Sequence, residues 1–220
     1  MISTPDFDPL AHIYRWLEWI TFGPYLHRCR VAFLPRMRTA GRALVMGDGD
    51  GRFTQQLLAA NPSVEVHAVD SSRAMLDQLM RRAGKNAVRV HTEQVDARLW
   101  KPGNHRYDLV ATHFFLDCFS TSEVERIATQ IGSATEQGAL WAISDFHVPD
   151  SLFGRIVALP VVKLLYLGFR ILTGLGAMSL PEHHPALKTA GFVCRERTEL
   201  LGGLLIAELW SQADHQHSIR

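Results

Sequence analysis

The residues best able to act together chemically lie between Gly47 and Asp70. Gly47, Gly49 and Gly51 alternate with acidic residues directly after a short apolar run. Glycine lets a backbone turn tightly and approach a ligand closely, and the start of a helix adds unpaired N–H groups. Asp70 ends the next apolar run about 20 residues on, where a carboxylate can accept hydrogen bonds from ribose hydroxyls. The pattern predicts a site for a nucleotide-like cofactor, with a helix N-cap as the plainer alternative for Asp70.

Two other glycine-rich motifs do not fit this loop. The dinucleotide fingerprint G-x-G-x-x-G needs a third glycine, but Arg52 holds that position when counting starts at Gly47, and Thr54 holds it when counting starts at Gly49. The phosphate-binding P-loop also fails, because no Gly-Lys-Ser/Thr follows. The spacing therefore argues against a pyrophosphate ligand.

Composition narrows the class of protein further. The net charge of +1 indicates no basic face for nucleic acid, and residues 1–10 lack the apolar stretch of a secretory signal. No cysteine stands in a CxxC pair, so we expect reduced thiols, a cytoplasmic location and no metal. The cysteines are Cys29, Cys118 and Cys194.

His183 and His184 could pair on a metal ion, but no acid converges on them in the sequence, and a loop ahead of Pro185 is the expectation.

Apolar runs of strand length alternate with helical patterns along the chain. The expected strands cover residues 43–46, 64–69, 87–90, 107–112 and 139–144. The expected helices cover residues 8–22, 25–37, 53–60, 72–83 and 121–135, the second of them interrupted near Pro35. Thr121 or Ser122 should cap the last of these helices. The alternation predicts βαβ units in a mainly parallel sheet, and two final strands at 192–198 and 204–210 are joined too closely to be parallel to each other.

From about Ala43 to Trp210 the chain resembles the class I S-adenosylmethionine-dependent methyltransferases. Residues 47–51 look like the first motif of that family, and residues 69–76, Val-Asp-Ser-Ser-Arg-Ala-Met-Leu, are similar to its acidic motif. Residues 94–97 resemble the adenine-contacting motif, and residues 107–110 the fourth-strand motif. The resemblance implies an α/β fold: a Rossmann-like, seven-stranded, mostly parallel sheet with an antiparallel last strand and helices on both faces.

The resemblance also implies S-adenosyl-L-methionine as cofactor and S-adenosyl-L-homocysteine as product. Gly47 and Gly49 would pass beneath the methionine portion of the cofactor, with Gly51 in the same loop. The family commonly has an acid where Val45 stands here, so either Asp48 takes over contacts to the methionine amine or that contact is lost.

The ribose and adenine would be held by the next two motifs. The resemblance assigns the ribose hydroxyls to Asp70 and the adenine amino group to Asp96, with the backbone of Ala97 nearby. Ser71 and Met75 would flank the adenine. A plain loop acid is the alternative role for Asp96.

The methyl acceptor should lie beside the loops that follow the fourth and fifth strands, because ligands of such sheets bind beyond the carboxyl ends of the strands. A base is needed only if the acceptor carries a proton. His113 is the first candidate for a base and is also counted among the cofactor contacts; Asp117 and His147 are further candidates. The alternative role for His113 is to line the pocket or bond the backbone, and the alternative for Asp117 and His147 is to cap a loop.

We expect a single methyltransferase domain over residues 1–220. It would comprise an N-terminal helical lid at 1–40, a cofactor-binding core at 43–148, a helical insertion at 150–180 and the terminal strand pair at 190–211. Trp16 and the apolar insertion suggest a hydrophobic pocket for a small, largely apolar acceptor. The same surface would allow weak association with membranes. The alternative is that these helices simply pack on the sheet.

Methylation at carbon or oxygen is favoured, because the fourth-strand segment lacks the Asn/Asp-Pro-Pro-aromatic pattern associated with amino-group methylation in this family. Two other functions stay open. One is a different use of the sulfonium, such as cyclisation or alkyl transfer, and the other is a non-catalytic module that binds S-adenosylmethionine. The missing acid at Val45 is the one sequence hint for either.

Overall fold

The computed structural model describes residues 24–152, 154–160, 162 and 181–213. The expected helix at 8–22, Trp16 and most of the insertion at 150–180 lie outside the described residues, and the division into lid, core and insertion stays a prediction. The strands are β1 Arg42–Met46, β2 Glu65–Asp70, β3 Val90–Gln94, β4 Tyr107–His113, β5 Thr135–Phe146, β6 Phe192–Leu200 and β7 Leu205–Gln212. The helices are α1 Pro24–Arg30, α2 Arg52–Ala60, α3 Arg73–Ala83, α4 Thr121–Ala134 and α5 His183–Thr189.

The strands form one seven-stranded sheet in the order β3-β2-β1-β4-β5-β7-β6. β1 to β5 pair in parallel, whereas β7 is antiparallel to both β5 and β6 and lies between them. Only the short turn Leu201–Gly203 and Leu204 join β6 to β7, and so short a link cannot carry the chain back for a parallel pair. The predicted fold class is confirmed.

Helices cover both faces of the sheet because each carries one apolar stripe. On one face, α1, α2 and α3 bury residues such as Leu26, Leu57 and Leu79 against the strands. On the other face, α4 and α5 bury residues such as Ile127 and Leu187. None of the helices in the described part of the chain is both long and apolar enough to cross a membrane.

The third strand lies further along the chain than its sequence pattern predicts. Residues 84–89 form a 3-10 turn in which the Val88 side chain is 91% exposed, so its apolar character does not mark a strand. β3 instead pairs with β2 from Val66 opposite Val90 to Asp70 opposite Gln94. This register makes the two strands end level with each other.

Two helix boundaries also differ from the prediction. The helix expected at 25–37, with an interruption near Pro35, ends earlier, at Arg30, and Leu34–Met37 is a separate 3-10 turn that contains the proline. Proline has no N–H with which to continue helical hydrogen bonding. α4 is capped by Ser120 and not by Thr121 or Ser122. The Ser120 backbone N–H donates to the Glu123 carboxylate (2.9 Å), which forms a capping box one residue earlier than expected.

Candidate functional site

The site begins where the order of the strands reverses direction. The chain builds outward from β1 through β2 to β3 and then returns to place β4 on the other side of β1. In open α/β sheets a crevice opens at the carboxyl ends of the two strands that flank this switch point, and ligands bind there. Gly47 follows β1 and Phe114 follows β4, so both lie at that crevice.

The glycine loop has a backbone shape that other residues rarely adopt. Gly47, Gly49 and Gly51 have φ of 67°, 59° and 81°, all in the left-handed region. The Gly47 N–H donates to the carbonyl of Val69 (2.9 Å), which ties the loop to β2. A Cβ on Gly47 would collide with the ring of Phe115. The loop therefore turns tightly against β2 and Phe115, and its close approach to a ligand stays a prediction.

Asp48 stabilises the start of α2. Its two carboxylate oxygens accept hydrogen bonds from the backbone N–H groups of Phe53 (3.1 Å) and Thr54 (2.8 Å). Burial raises the pKa of Asp48, and these hydrogen bonds oppose the rise. The contact with a methionine amine stays a prediction, and it would share a carboxylate that already caps a helix.

Asp70 lies at the end of β2, beside the glycine loop. Its carboxylate accepts a hydrogen bond from the Ser72 N–H (2.9 Å). Burial and the nearby charge of Asp48 raise its pKa to about 6. The N-cap of α3 is Ser72, whose hydroxyl accepts from the Met75 N–H (3.2 Å), so the alternative role of Asp70 as the cap is not what the structure shows.

The predicted adenine-binding residues lie along the same edge of the sheet. The Val95 N–H donates to the Asp70 carbonyl (3.0 Å), which holds the segment after β3 against the end of β2. Met75 is buried, and its sulfur would lie 3.9 Å from a Cβ on Gly49. Ser71 is half-buried and Ala97 is buried.

Asp96 has a partner that the sequence analysis missed. The Arg98 Nε lies 2.9 Å and 3.0 Å from the two carboxylate oxygens. Burial alone would raise the pKa of Asp96, but the hydrogen bonds from Arg98 outweigh it and lower the pKa. An ionised acceptor at this place suits an adenine amino group, although Arg98 shares the same oxygens. In the sequence, the available signal for this contact was a basic residue two positions after the acid.

His113 is buried (4% exposed) and connects the sheet to α1. Its Nδ1 lies 2.9 Å from Ser144 Oγ, and the Ser144 hydroxyl donates to the carbonyl of Cys29 (3.1 Å). Because that hydroxyl proton points to Cys29, Nδ1 is the donor to Ser144. Burial and the positive charge of Arg30 lower the pKa of His113 to about 3. So weak a base is better suited to positioning α1 than to accepting a proton at neutral pH.

Two buried acids lie near the ends of β4 and β5. Asp117 is in the 3-10 turn after β4, and burial raises its pKa to about 6. Asp145, which the sequence analysis did not single out, is the second-last residue of β5 and accepts hydrogen bonds from the backbone N–H groups of Phe115 and Asp117. Burial and the charge of Asp117 raise the pKa of Asp145 well above its usual range.

The third candidate base, His147, serves to join strands. Its Nδ1 lies 3.0 Å from the carbonyl oxygen of Gly203, and its backbone N–H donates to the carbonyl of Leu204 (2.8 Å). Its Nε2 lies 3.4 Å from a guanidinium nitrogen of Arg197. These contacts hold the end of β5 to the start of β7.

The expectation for His183 and His184 is wrong in two respects. Both residues belong to helix α5 and not to a loop, and an acid does converge on them: Glu208 of β7, whose carboxylate oxygens lie 3.0 Å and 2.7 Å from the two Nε2 atoms. The available sequence signal for this contact was Glu208 itself, a charged residue within the apolar run of 204–210.

Aromatic rings surround the ends of β4 and β5. The rings of Phe114 and Phe146 are 5.4 Å apart, and those of Phe115 and Phe119 are 5.0 Å apart in an edge-to-face arrangement. The guanidinium of Arg30, at the end of α1, lies 5.1 Å from the centre of the Phe114 ring. Aromatic rings therefore share the ends of β4 and β5 with the Arg30 guanidinium and the two buried acids.

Comparison with known proteins agrees with this geometry. Residues 43–138 match a family described as a methyltransferase domain. No curated protein sequence matches the chain significantly. An O-methyltransferase family protein from Burkholderia thailandensis has a similar structure (TM-score 0.71, 14% identity), over 94% of this chain and 60% of that protein.

Two more solved structures are similar. The mitomycin 7-O-methyltransferase MmcR has a TM-score of 0.71 and 16% identity, over 96% of this chain and 61% of MmcR. The N-methyltransferase NodS from Bradyrhizobium japonicum WM9, in complex with S-adenosyl-L-homocysteine, has a TM-score of 0.64 and 12% identity, over 86% of this chain and 88% of NodS. This chain therefore spans about three fifths of the length of the first two proteins. The match of residues 43–138 to a methyltransferase domain and the shared fold agree with the predicted resemblance to class I S-adenosylmethionine-dependent methyltransferases.

Proposed function

We propose that this chain binds S-adenosylmethionine and transfers its methyl group to the carbon or oxygen of a small, largely apolar acceptor. The observation that carries the proposal is the left-handed loop of Gly47, Gly49 and Gly51 at the switch point of the sheet, beside the half-buried carboxylate of Asp70 at the end of β2. The match of residues 43–138 to a methyltransferase domain supports the same assignment.

The residues present fit the cofactor by the chemistry of their donors and acceptors. Gly49 leaves room for a ligand against the backbone, since only the Met75 sulfur, at 3.9 Å, comes within 4 Å of the place that a Cβ would take. Asp70 offers an acceptor for ribose hydroxyls, and Asp96 offers an ionised acceptor for an amino group. When bound, the cofactor supplies an electrophilic methyl group on a sulfonium. Because that sulfonium is already a good leaving group, the protein contributes chiefly by positioning the acceptor and excluding water.

The aromatic rings at the ends of β4 and β5 support the choice of an apolar acceptor. Phe114, Phe115 and Phe146 would surround an acceptor beyond the ends of β4 and β5, and flat or hydrophobic molecules pack well against such rings. If the acceptor carries a proton, Asp117 is the better base: with a pKa of about 6 it is ionised at neutral pH, whereas His113 is too weak.

Calorimetry with S-adenosylhomocysteine tests the cofactor assignment. The wild-type chain should bind it, and Asp70→Ala should weaken binding by about 1.5–3 kcal/mol, as expected for loss of charge-assisted hydrogen bonds. Asp77→Ala is the matched control, because Asp77 lies on the outside of α3 and pairs only with Arg73 among the described residues. No binding by the wild type would remove the proposal, and equal binding by Asp70→Ala would remove the ribose role.

Product analysis separates the alternative functions. Incubation with S-adenosylmethionine alone should leave it intact if an acceptor is required. Release of methylthioadenosine would instead indicate cyclisation or alkyl transfer. Tight binding with no turnover across a broad panel of aromatic and isoprenoid acceptors would indicate a non-catalytic binding module.

A further inference from the structure

A second cluster of polar residues lies away from the cofactor loop, between α5 and β7. Glu208 is in the middle of β7 and is completely buried (0% exposed). The Nε2 atoms of His183 and His184, in the first turn of α5, lie 3.0 Å and 2.7 Å from its two carboxylate oxygens. The ligand atoms of the three side chains all lie within 4.8 Å of one another.

Further charged and polar side chains surround this cluster. Arg197 places a guanidinium nitrogen 3.0 Å from Glu208, and Trp210 donates its indole N–H to the same carboxylate (3.0 Å). Two further buried carboxyls lie within electrostatic range, since Asp117 is influenced by His183 and Asp145 by Glu208. Within the described part of the chain, Asp145 Oδ1 has no hydrogen-bond partner.

We propose that His183, His184 and Glu208 bind a divalent transition-metal cation, with zinc the best match. Two imidazoles and one carboxylate form a donor set typical of zinc sites and leave a fourth position for water or another ligand. Ligand atoms around a tetrahedral zinc ion with bonds of about 2.1 Å lie roughly 3.4 Å apart. The observed separations of 3.0 Å and 2.7 Å, each to a different oxygen of Glu208, would have to open by about 0.4 Å and about 0.7 Å to reach that spacing.

Binding requires no covalent chemistry. Each neutral imidazole moves its proton from Nε2 to Nδ1, which frees the Nε2 lone pair for the metal and keeps the ring neutral. The ion would fasten α5 to β7, and this role is independent of whether the chain transfers methyl groups.

The test is zinc binding by the full chain after treatment with a chelator. Titration calorimetry with Zn²⁺ should give one site per chain in the wild type. His184→Ala should weaken binding at least about tenfold, the lower end of what loss of even an outer-shell group costs a metal site. The control is His91→Ala, because His91 is exposed on β3, at the opposite edge of the sheet from α5 and β7, and should bind as the wild type does.

Thermal unfolding gives a second measurement that does not depend on activity. Zn²⁺ should raise the unfolding temperature of the wild type and of His91→Ala, because a ligand that binds only the folded state stabilises it, but not that of His184→Ala. The His184 side chain is 40% exposed, so its removal leaves the buried Glu208 in contact with Arg197 and Trp210. Absence of zinc binding by the wild type at micromolar concentration, or equal binding by His184→Ala, would overturn the proposal and leave Glu208 as a hydrogen-bonding centre.

Discussion

At the residue scale, Gly47 is glycine for two separate reasons. Its φ of 67° strains any other residue, and the Phe115 ring occupies the space that a Cβ would need. Gly138 shares only the first reason, because its φ is 74° but nothing lies within 4 Å of the place that a Cβ would take.

Replacing these glycines separates the two effects. We expect Gly47→Ala to lower the free energy of unfolding by about 2–5 kcal/mol, the sum of backbone strain and overpacking, and to abolish binding of S-adenosylhomocysteine. Gly138→Ala should cost about 1–3 kcal/mol from strain alone and bind normally. Urea unfolding and calorimetry measure both. Equal losses of stability in the two variants would show that contact with Phe115 adds nothing.

The raised pKa of Asp70 predicts a pH dependence of cofactor binding. Above about pH 6 the carboxylate is ionised and accepts hydrogen bonds from ribose hydroxyls; below it, protonation removes that acceptor. We therefore expect the dissociation constant of S-adenosylhomocysteine to rise as pH falls, by up to about tenfold for each unit below the pKa. Asp70→Asn has no group to titrate here, so its weaker binding should lack this inflection. An unchanged inflection in that variant would assign the pH dependence to another group.

At the scale of elements, the start of α4 shows how a helix boundary is set. Ser120 and Glu123 satisfy each other's backbone N–H groups, and the Thr121 side chain is not part of this capping box. Ser120→Ala should lower the free energy of unfolding by about 1 kcal/mol, the usual cost of losing an N-cap. Thr121→Ala is the matched control, with an effect expected within about 0.5 kcal/mol. Urea unfolding distinguishes the two variants. A larger loss of stability in Thr121→Ala than in Ser120→Ala would instead support the cap predicted from the sequence.

At the scale of the whole molecule, one buried side chain joins three parts of the fold. The Asn61 amide donates to the carbonyls of Met37 (3.0 Å) and Ala40 (2.8 Å) ahead of β1, and its side-chain oxygen accepts from the Val64 N–H (3.1 Å) ahead of β2. Asn61→Ala should lower the free energy of unfolding by about 2–4 kcal/mol, because it leaves several buried backbone groups unpaired. The exposed Asn104→Ala should change it by less than about 0.5 kcal/mol in the same urea titration. A small effect of Asn61→Ala would mean that water replaces these bonds.

The sequence by itself determined the alternation of strands and helices, the glycine loop and Asp70. These features depend on residues close together in the chain. The loop needs glycines at positive φ within a few residues of a strand end, and parallel order follows from the helices between strands. Even the antiparallel turn before β7 could be predicted, because a short connection leaves no room for a crossover.

The tertiary structure decided which distant side chains meet. Glu208 is 24 residues from His184, and only the insertion of β7 beside β5, with α5 packed on that face, brings the two together. Burial likewise made His113 a weak base, since a histidine at a strand end has the same sequence pattern whether its ring faces water or the core. Residue type and local spacing determine backbone conformation, whereas desolvation and long-range contacts, which set the chemistry of His113 and Glu208, exist only once the layers have packed.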